Sequence, residues 1–512
     1  MFRYNSKDQV GIDESTAPFE VHLRGDNRWV KLSGLLPWDE MAAIYERSLH
    51  KSHGAPSIDA RIAIGALIIK HKLKLDDRGT IEMIQENPYM QYFLGLSEFR
   101  AEAVFDASLF VTIRKRLGAE VFDEMTDALV EKARGSEKGS RAGAGGQGPA
   151  GGQDAPSPGP EGPIMPEGEV PAHKGVVKMD ATVCDQYIKY PTDLVLTGRA
   201  RLESERLIDY LCQKLGLGIK PRTYRQQAQR QYLSAAKNKK LSKRKRRTAI
   251  GQQLRCLKRN LGHLNRLLDG FERIPFGKRD YKIFLVIQHL YTQQEEMWRN
   301  KVNRCDDRIV SIYQPHVRPI VRGKAGKNVE FGSKISISLS EGLARLDCLS
   351  WDAFNESQIL PEQIKAYHAE RGCWPEKVAV DQIYGTRENR RWCKERGIQL
   401  QVKPLGRPPT TPLKKEGHLH RNDLEGKFGE GKNGFNLNKI RAKLQRTSES
   451  WIAAIFFVMN INELARRAGL FAMLFVADFA RFLCCSHPQA KRHNGLWATN
   501  FPIECRPSYP SP

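Results

Sequence analysis

Two aspartates in this sequence each end a short run of apolar, strand-forming residues. The runs are Val176–Asp180 and Lys377–Asp381, and runs of this kind predict β-strands. Phosphodiester chemistry with two Mg²⁺ ions needs hard oxygen ligands from several elements, converging on metals about 3.5–4 Å apart. Acids at the ends of rigid neighbouring strands meet this need. Asp180 and Asp381 are therefore candidate metal ligands, although a single aspartate at such a place is more often a turn residue.

A third acid lies between cations at helical spacing. Arg421 precedes Glu425 by four residues and Lys432 follows it by seven, so on a helix the three share one face. One carboxylate flanked by two cations suits a metal site within a phosphate-binding groove. The simpler interpretation is a surface ion pair worth a few tenths of a kcal/mol. Glu430, in the same segment, is the alternative third acid.

The charge of the chain indicates a polyanionic partner. Its 82 Lys and Arg outnumber its 58 Asp and Glu, giving a formal net charge of +24, which suits nucleic acid or an anionic membrane surface. Residues 220–266 hold 16 Lys and Arg and no acid. We interpret this segment as a phosphate-contacting surface, the alternative being a solvated charged face. Its densest run is Lys243, Arg244, Lys245, Arg246 and Arg247.

Residues 1–134 predict an all-α N-terminal domain. Apolar spacing and capping residues predict helices over 58–73 with a Ser57 cap, from Thr80 to Asn87, from Pro88 onward, and over 107–117 with an Asp106 cap. Short helices joined by tight turns are typical of helix-turn-helix DNA-binding bundles. On that interpretation Arg114 and Arg116 contact DNA. The alternative is a helical packing or dimerisation domain.

The remainder predicts an α/β domain after a linker. Residues 135–174 are rich in Gly and Pro and contain no aromatic residue, which predicts a flexible linker. Strand and helix signals then alternate over 175–470, as in α/β domains. A basic, mostly helical insertion lies at about 199–300, helices are predicted over 421–447 and 449–467, and 471–512 form a tail.

Neither a membrane protein nor a disulfide scaffold is expected. The longest apolar stretches fall short of the ~18–20 residues that cross a bilayer, and the N-terminus lacks the apolar region of a signal peptide. The ten cysteines form no Cys-x-x-Cys pair, which argues against a zinc ribbon. We expect a soluble intracellular protein with reduced thiols.

The three acid-containing segments, in this order, resemble the DDE transposases of bacterial insertion sequences, in the branch of families four and five. The signature of that branch is Tyr-x2-Arg-x3-Glu-x6-Lys. Arg421, Glu425 and Lys432 match its spacing, with His418 at the tyrosine position. The segment from Asp381 through Tyr384 to Asn389 resembles the second-Asp region, and the segment around Asp180 resembles the first.

This resemblance implies a fold, a site and an activity. The fold is an RNase H-like catalytic domain, in which Asp180, Asp381 and Glu425 hold two Mg²⁺ ions, with Mn²⁺ as a substitute. Tyr384, Arg421 and Lys432 lie beside DNA phosphates, and His418 is expected to face the same phosphate as Arg421.

The implied activity is that of a transposase, which cuts DNA at insertion-sequence ends and joins them to target DNA. Its partners are double-stranded DNA, namely the terminal inverted repeats and the target, and a second copy in a homodimer assembled on DNA. The alternatives are a non-cutting DNA-binding protein derived from a transposase and a two-metal nuclease without strand transfer.

Overall fold

A computed structural model describes residues 23–49, 57–142, 173–238, 240–321, 329–403 and 416–469. Side chains are described throughout these ranges except at 134–142 and 416–421. The fold is mixed α/β, as predicted: helices precede a six-stranded sheet, and more helices follow and cover it. The predicted tail, 471–512, and most of the predicted linker lie outside the described residues.

Seven helices form the N-terminal part of the chain. They are α1 (Arg28–Leu35), α2 (Trp38–Glu46), α3 (Ala60–Leu73), α4 (Asp77–Glu86), α5 (Pro88–Phe93), α6 (Leu109–Arg116) and α7 (Ala119–Ala142). The helix α7 ends eight residues inside the segment that the Gly and Pro content assigned to the linker.

Three predicted helix starts in this part are wrong. The helix α6 begins at Leu109, after Ser108, and not at Ala107 after an Asp106 cap. The cap of α3 is Asp59, whose side chain accepts a hydrogen bond from the Arg61 backbone N–H, so Ser57 is not the cap. The helix α4 begins one turn earlier than predicted, because Asp76 caps it. The remaining start is confirmed: Pro88 opens α5, and the Asn87 side chain caps it.

The sheet contains six strands, joined by two parallel and three antiparallel pairings. They are β1 (Val176–Asp185), β2 (Arg318–Val321), β3 (Val329–Ser340), β4 (Leu343–Ser350), β5 (Lys377–Val380) and β6 (Gln399–Gln401). Neighbours follow the order β2-β3-β1-β5-β6, and β4 also pairs with β3. The strands β1, β5 and β6 are parallel, whereas β3 is antiparallel to β1, β2 and β4. The centrally placed β1 thus contacts both halves of the sheet.

The strand β1 does not end at Asp180, as the sequence pattern predicted. It continues for five residues to Asp185, and Asp180 pairs with Ile337 in the middle of the β1–β3 ladder. An acid is tolerated within the strand because its side chain is only partly buried. The other predicted strand, Lys377–Asp381, is confirmed by β5.

Eight more helices accompany the sheet. They are α8 (Asp193–Lys214), α9 (Arg225–Lys237), α10 (Lys243–Leu268), α11 (Lys278–Asn300), α12 (Glu356–Arg371), α13 (Arg387–Glu395), α14 (Glu416–Gly429) and α15 (Gln445–Arg467). The first four, between β1 and β2, form the predicted helical insertion, in which α8, α10 and α11 enclose an apolar core of their own. The predicted helix over 421–447 is wrong in its second half, because α14 passes into a π-helical turn, Glu430–Gly434, and ends.

The N-terminal helices do not have a core separate from the rest of the chain. One continuous cluster of buried apolar side chains joins α1–α7 to α15, β3 and β4. From Trp451 to Ile461 every residue of α15 is buried, because the N-terminal helices cover the side of α15 that faces away from the sheet. No helix in the described part of the chain is both long and apolar enough to span a bilayer.

A group of partly buried acids joins α7 to the sheet. Asp123, Asp127, Arg345 and Glu370 line a small cavity of about 50 Å³ between α7, β4 and α12. Burial raises the pKa of the Asp123 carboxyl to about 7, an effect that Arg345 opposes and Asp127 and Glu370 reinforce. The folded protein therefore holds a proton that the unfolded chain loses near pH ~3.9.

We expect the Asp123→Asn variant to lose part of the pH dependence of stability. The folded state binds more protons than the unfolded state between pH ~4 and the raised pKa, so the free energy of unfolding of the parent falls as pH rises through that window. An amide removes this effect and makes the variant more stable than the parent at pH 8. Urea unfolding at several pH values measures it, with Glu124→Gln on the exposed side of α7 as control. Equal pH profiles for all three proteins would contradict the expectation.

Candidate functional site

Two of the three candidate metal ligands lie at neighbouring positions on the sheet. Met179 of β1 pairs with Val380 of β5 in parallel register, and Asp180 and Asp381 directly follow these two residues. Paired strands lie about 4.8 Å apart, so the two carboxylates begin from adjacent points of the backbone. The side chain of Asp381 accepts a hydrogen bond from the Gln382 backbone N–H at 2.7 Å, which fixes the turn after β5.

The helix that carries the third acid packs on the same strands. Asp423 of α14 forms an ion pair with Lys178, two residues before Asp180 on β1. Leu424 and Phe428 are buried in the core beneath the helix, whereas Glu425 is exposed. Among the described side chains, no three acids, histidines or cysteines come close enough together to hold a metal ion.

The strand register therefore places Asp180 and Asp381 at neighbouring backbone positions, and among the described side chains the two do not form a closed set of three with Glu425. The alternative acid, Glu430, lies one turn further along and forms an ion pair with Lys427 at 3.0 Å. The ion pair of Lys178 with Asp423 holds α14 against β1. Local sequence patterns could not predict it, because its partners are 245 residues apart.

The predicted cation Lys432 lies close to β1. Burial raises the pKa of the Cys184 thiol, and the positive charge of Lys432 opposes that rise. Cys184 and Asp180 are four residues apart on one strand, so their side chains leave the same face of the sheet. Lys432 belongs to the π-helical turn, and such turns often occur at functional sites.

Tyr384 lies in the interior of the protein, not at a DNA-facing surface. Its side chain is fully buried among apolar residues of β1, β5 and α12. Burial also raises the pKa of its hydroxyl. From this position Tyr384 cannot contact a phosphate, so the predicted contact is wrong. The buried Tyr384 instead anchors the short turn Gln382–Tyr384, which directly follows Asp381.

Arg114 is also an interior residue, and the predicted DNA contact is again wrong. Its guanidinium donates two hydrogen bonds to Asp77 of α4, at 2.9 and 2.8 Å, and only 4% of its surface is exposed. Lys70 approaches the same carboxylate at 2.9 Å. Both cations lie over the ring of Trp451 on α15. This group, which we call the Asp77 cluster, ties α3, α4 and α6 to α15.

The neighbouring Arg116 is half-buried and lies within 3.5 Å of the Tyr45 hydroxyl. The side chains of His418 and Arg421 lie outside the described residues, although α14 spans both positions. The expected phosphate contacts of these three residues stay predictions.

The cationic run predicted to contact phosphate lies at the start of α10. Lys243, Arg244, Lys245 and Arg246 are exposed, and Arg247 lies over the ring of Trp298 at 4.7 Å. The Ser242 side chain caps the helix. Cations are disfavoured at a helix N-terminus because the helix dipole is positive there. Their concentration at this end produces a strongly positive surface that an anion would neutralise.

Two regions of the chain match family models, and both models describe transposases. Residues 378–462 match a transposase DDE domain, and residues 18–116 match a transposase domain. The first region contains Asp381, Glu425 and most of α15, and the second contains α1–α6.

A curated relative also matches part of the chain. The uncharacterized protein ORF8 in the nfe locus of Rhizobium meliloti is 35% identical over 104 residues, which is 20% of this chain. The match spans 50% of that relative's length. No solved structure matches the chain.

Proposed function

We propose that the chain is a DDE transposase of an insertion sequence, which cuts DNA at the ends of the element and joins them to target DNA; the two transposase models that match the chain support this proposal. The observation that carries this proposal is the pairing of Met179 with Val380, which sets Asp180 and Asp381 side by side. The strand arrangement around them supports an RNase H-like catalytic domain. We assign Glu425 as the third acid because α14 packs on the same strands through Lys178.

The reaction consists of two displacements at phosphorus. Water attacks a phosphodiester at the element end, the bond to the 3′-oxygen breaks, and a 3′-hydroxyl and a 5′-phosphate are left. That 3′-hydroxyl then attacks a target phosphodiester, whose own 3′-oxygen leaves. Neither step forms a bond between protein and DNA, so no serine or tyrosine nucleophile is needed.

The donor set fits a hard divalent cation. Carboxylate oxygens are ligands that Mg²⁺ prefers, and we assign Asp180, Asp381 and Glu425 to two such ions, with Mn²⁺ as a substitute. When bound, the metal would activate the attacking oxygen and stabilise the leaving one. The approach of Glu425 to the two aspartates is part of this proposal, since a bound divalent cation would attract all three carboxylates.

Cations of the chain hold the DNA beside these acids. Lys432, near Cys184 on the Asp180 face of β1, is assigned to an element-end phosphate together with Arg421 and His418. An adjacent phosphate favours the imidazolium form of His418 and raises its pKa, so this contact strengthens as pH falls through the titration of His418. In a homodimer on DNA, in the bacterial cytoplasm, each copy would hold one end.

One assay separates the proposal from its alternatives. The full chain is incubated with Mg²⁺, a supercoiled target plasmid and a duplex bearing the DNA that flanks its gene. A transposase yields a free 3′-hydroxyl at the element end and then joined product. A nuclease yields the cut alone, and a non-cutting DNA-binding protein yields a retarded complex alone. Only the joined product supports the proposal.

We expect the cations at the start of α10 to contact phosphate without regard to sequence. The Lys243→Gln/Arg244→Gln variant should bind all duplexes more weakly, and the slope of log K against log salt should fall by roughly 0.9 for each phosphate that the variant no longer neutralises. Filter binding at several KCl concentrations measures both quantities.

The matched control is Lys278→Gln/Arg279→Gln, which removes the same two residue types from the start of α11. Because α11 runs back along α10, the two sites lie at opposite ends of helices about 35–39 Å long at 1.5 Å per residue. The control should keep the parent's slope. Equal losses in both variants would show that net charge, and not a local contact, is responsible.

A further inference from the structure

The helix α9 differs from the other three helices of the insertion. Among its residues only Ala228 is fully buried, whereas α8, α10 and α11 each bury a full apolar face. A helix with so little buried apolar surface gains little from hydrophobic packing. Its place in the bundle must therefore be fixed by other contacts.

Polar contacts from α8 and α10 hold α9 on its inward side. Arg201 of α8 is fully buried and donates a hydrogen bond to the Gln229 side chain at 2.6 Å. Gln253 of α10 donates another to the Ala228 carbonyl at 3.0 Å. Tyr232 packs so closely on α8 that a Cβ atom at Gly198 would lie 2.7 Å from its ring. These contacts fix both the position of α9 and its rotation.

The start of α9 is held in a strained backbone conformation. Tyr224, the residue before the helix, has φ 49°, in the left-handed region that non-glycine residues rarely adopt. Arg259 of α10 lies over its ring at 4.8 Å and donates to the Thr223 carbonyl at 2.6 Å. Strain of this kind persists only where the surroundings enforce it, and it is concentrated at functional sites.

The outward face of α9 carries side chains that suit DNA bases. Gln227, Arg230 and Ser234 are exposed at i, i+3 and i+7, so they form one stripe along the helix. An open groove of about 450 Å³ lies between α9 and α10: Gln227 of this stripe lines one side, and Gln252 and Arg255 line the other. Because residues 220–266 contain no acid, the whole face is complementary to a polyanion.

We propose that α9 is a recognition helix, which enters the major groove of duplex DNA and reads base edges through Gln227 and Arg230. The major groove, about 12 Å wide, admits an α-helix. Glutamine pairs with adenine there through two hydrogen bonds, and arginine pairs with guanine in the same way. The cations at the start of α10, a few residues beyond α9, would contact the flanking phosphates. This inference rests on the proposed function, because it assumes that element DNA is the ligand.

The test is selection from a library of randomised duplexes with the full chain. Three proteins are compared: the parent, the Gln227→Ala/Arg230→Ala variant, and a control with Gln213→Ala/Lys214→Ala, a matched exposed pair on α8. The parent and the control should enrich one shared motif. The α9 variant should lose its base preference at about two or three adjacent positions of that motif. At each of these positions the parent should prefer the favoured base by roughly 10- to 100-fold. The affinity of the variant for random DNA should stay within about two-fold of the parent's.

Each result decides a separate question. A complete motif in the α9 variant overturns the inference, as does an equal loss of affinity for every sequence, which would make these residues phosphate contacts. If the parent itself enriches no motif and retains no duplex, the proposed function fails and not the recognition helix alone. Unchanged thermal midpoints in both variants show that exposed side chains were removed without unfolding the bundle.

Discussion

We expect the Asp381→Asn variant of the full chain to bind duplex DNA as the parent does and to cleave it at least ~1000-fold more slowly. The amide keeps the size of the side chain and its acceptor oxygen, which the Gln382 backbone N–H contacts. It removes the negative charge that binds a metal ion. A bound metal stabilises the transition state of such a reaction by several kcal/mol, and each loss of about 1.4 kcal/mol slows the reaction ten-fold. Cleavage of an end-labelled duplex in Mg²⁺ and gel retardation in EDTA measure the two properties separately.

The pair Glu425→Gln and Glu430→Gln identifies the third acid. The first should be as inactive as Asp381→Asn, and the second should retain cleavage, because it loses only the ion pair of Glu430 with Lys427. The reverse result moves the assignment to Glu430. Full activity in Asp180→Asn or Asp381→Asn would contradict the proposed catalytic site altogether.

The second large effect concerns stability. In the Asp77→Asn variant, the buried cations Lys70 and Arg114 lose the carboxylate that neutralises them, and leaving buried charges unpaired costs about 3–5 kcal/mol. Burial alone would raise the pKa of Asp77, but the hydrogen bond from Arg114 and the charge of Lys70 outweigh it and lower the pKa. The contribution is therefore present above pH ~4 and is lost as pH falls below it.

The neighbouring residue supplies the control for this prediction. Asp76 caps α4 through the Gly79 backbone N–H, and asparagine caps a helix about as well as aspartate, so Asp76→Asn should remain within about 0.5 kcal/mol of the parent. Removing one cation as well, in Asp77→Asn/Lys70→Met, should recover part of the stability. Urea unfolding followed by tryptophan fluorescence measures all three variants. Equal midpoints for Asp77→Asn and Asp76→Asn would contradict the role of the Asp77 cluster.

Local patterns in the sequence predicted the elements that carry the acids. The β-favouring run before Asp381 and the helical spacing around Glu425 depend on near neighbours only, and both appear as β5 and α14. The predicted end of β1 is wrong because that prediction, too, depends on near neighbours only. An aspartate is typical of a strand end, yet Asp180 continues into Ala181–Asp185 because β3 pairs with the whole of that segment.

Residue types could not reveal which predicted cations and tyrosines are buried. Arg114, Lys115 and Arg116 form one cationic run in the sequence, but Arg114 turns inward, toward a carboxylate 37 residues away. Tyr384 follows Asp381 closely in sequence, yet the packing of α12 against β5 encloses it. The ion pair of Lys178 with Asp423 and the seating of α9 likewise depend on contacts between distant parts of the chain.

The single core shared by α1–α7 and α15 has a consequence for biosynthesis. The N-terminal helices leave the ribosome first, and α15 follows roughly 300 residues later, which at about 5–20 residues per second is a delay of roughly 15–60 s. During that time the apolar surface that α15 will cover stays exposed to other proteins. The four-helix insertion has its own core and can already fold. Copies of the gene interrupted before α15 would therefore yield truncated proteins that chaperones bind and proteases degrade. Such products would not persist as stable fragments that compete with the intact protein for DNA.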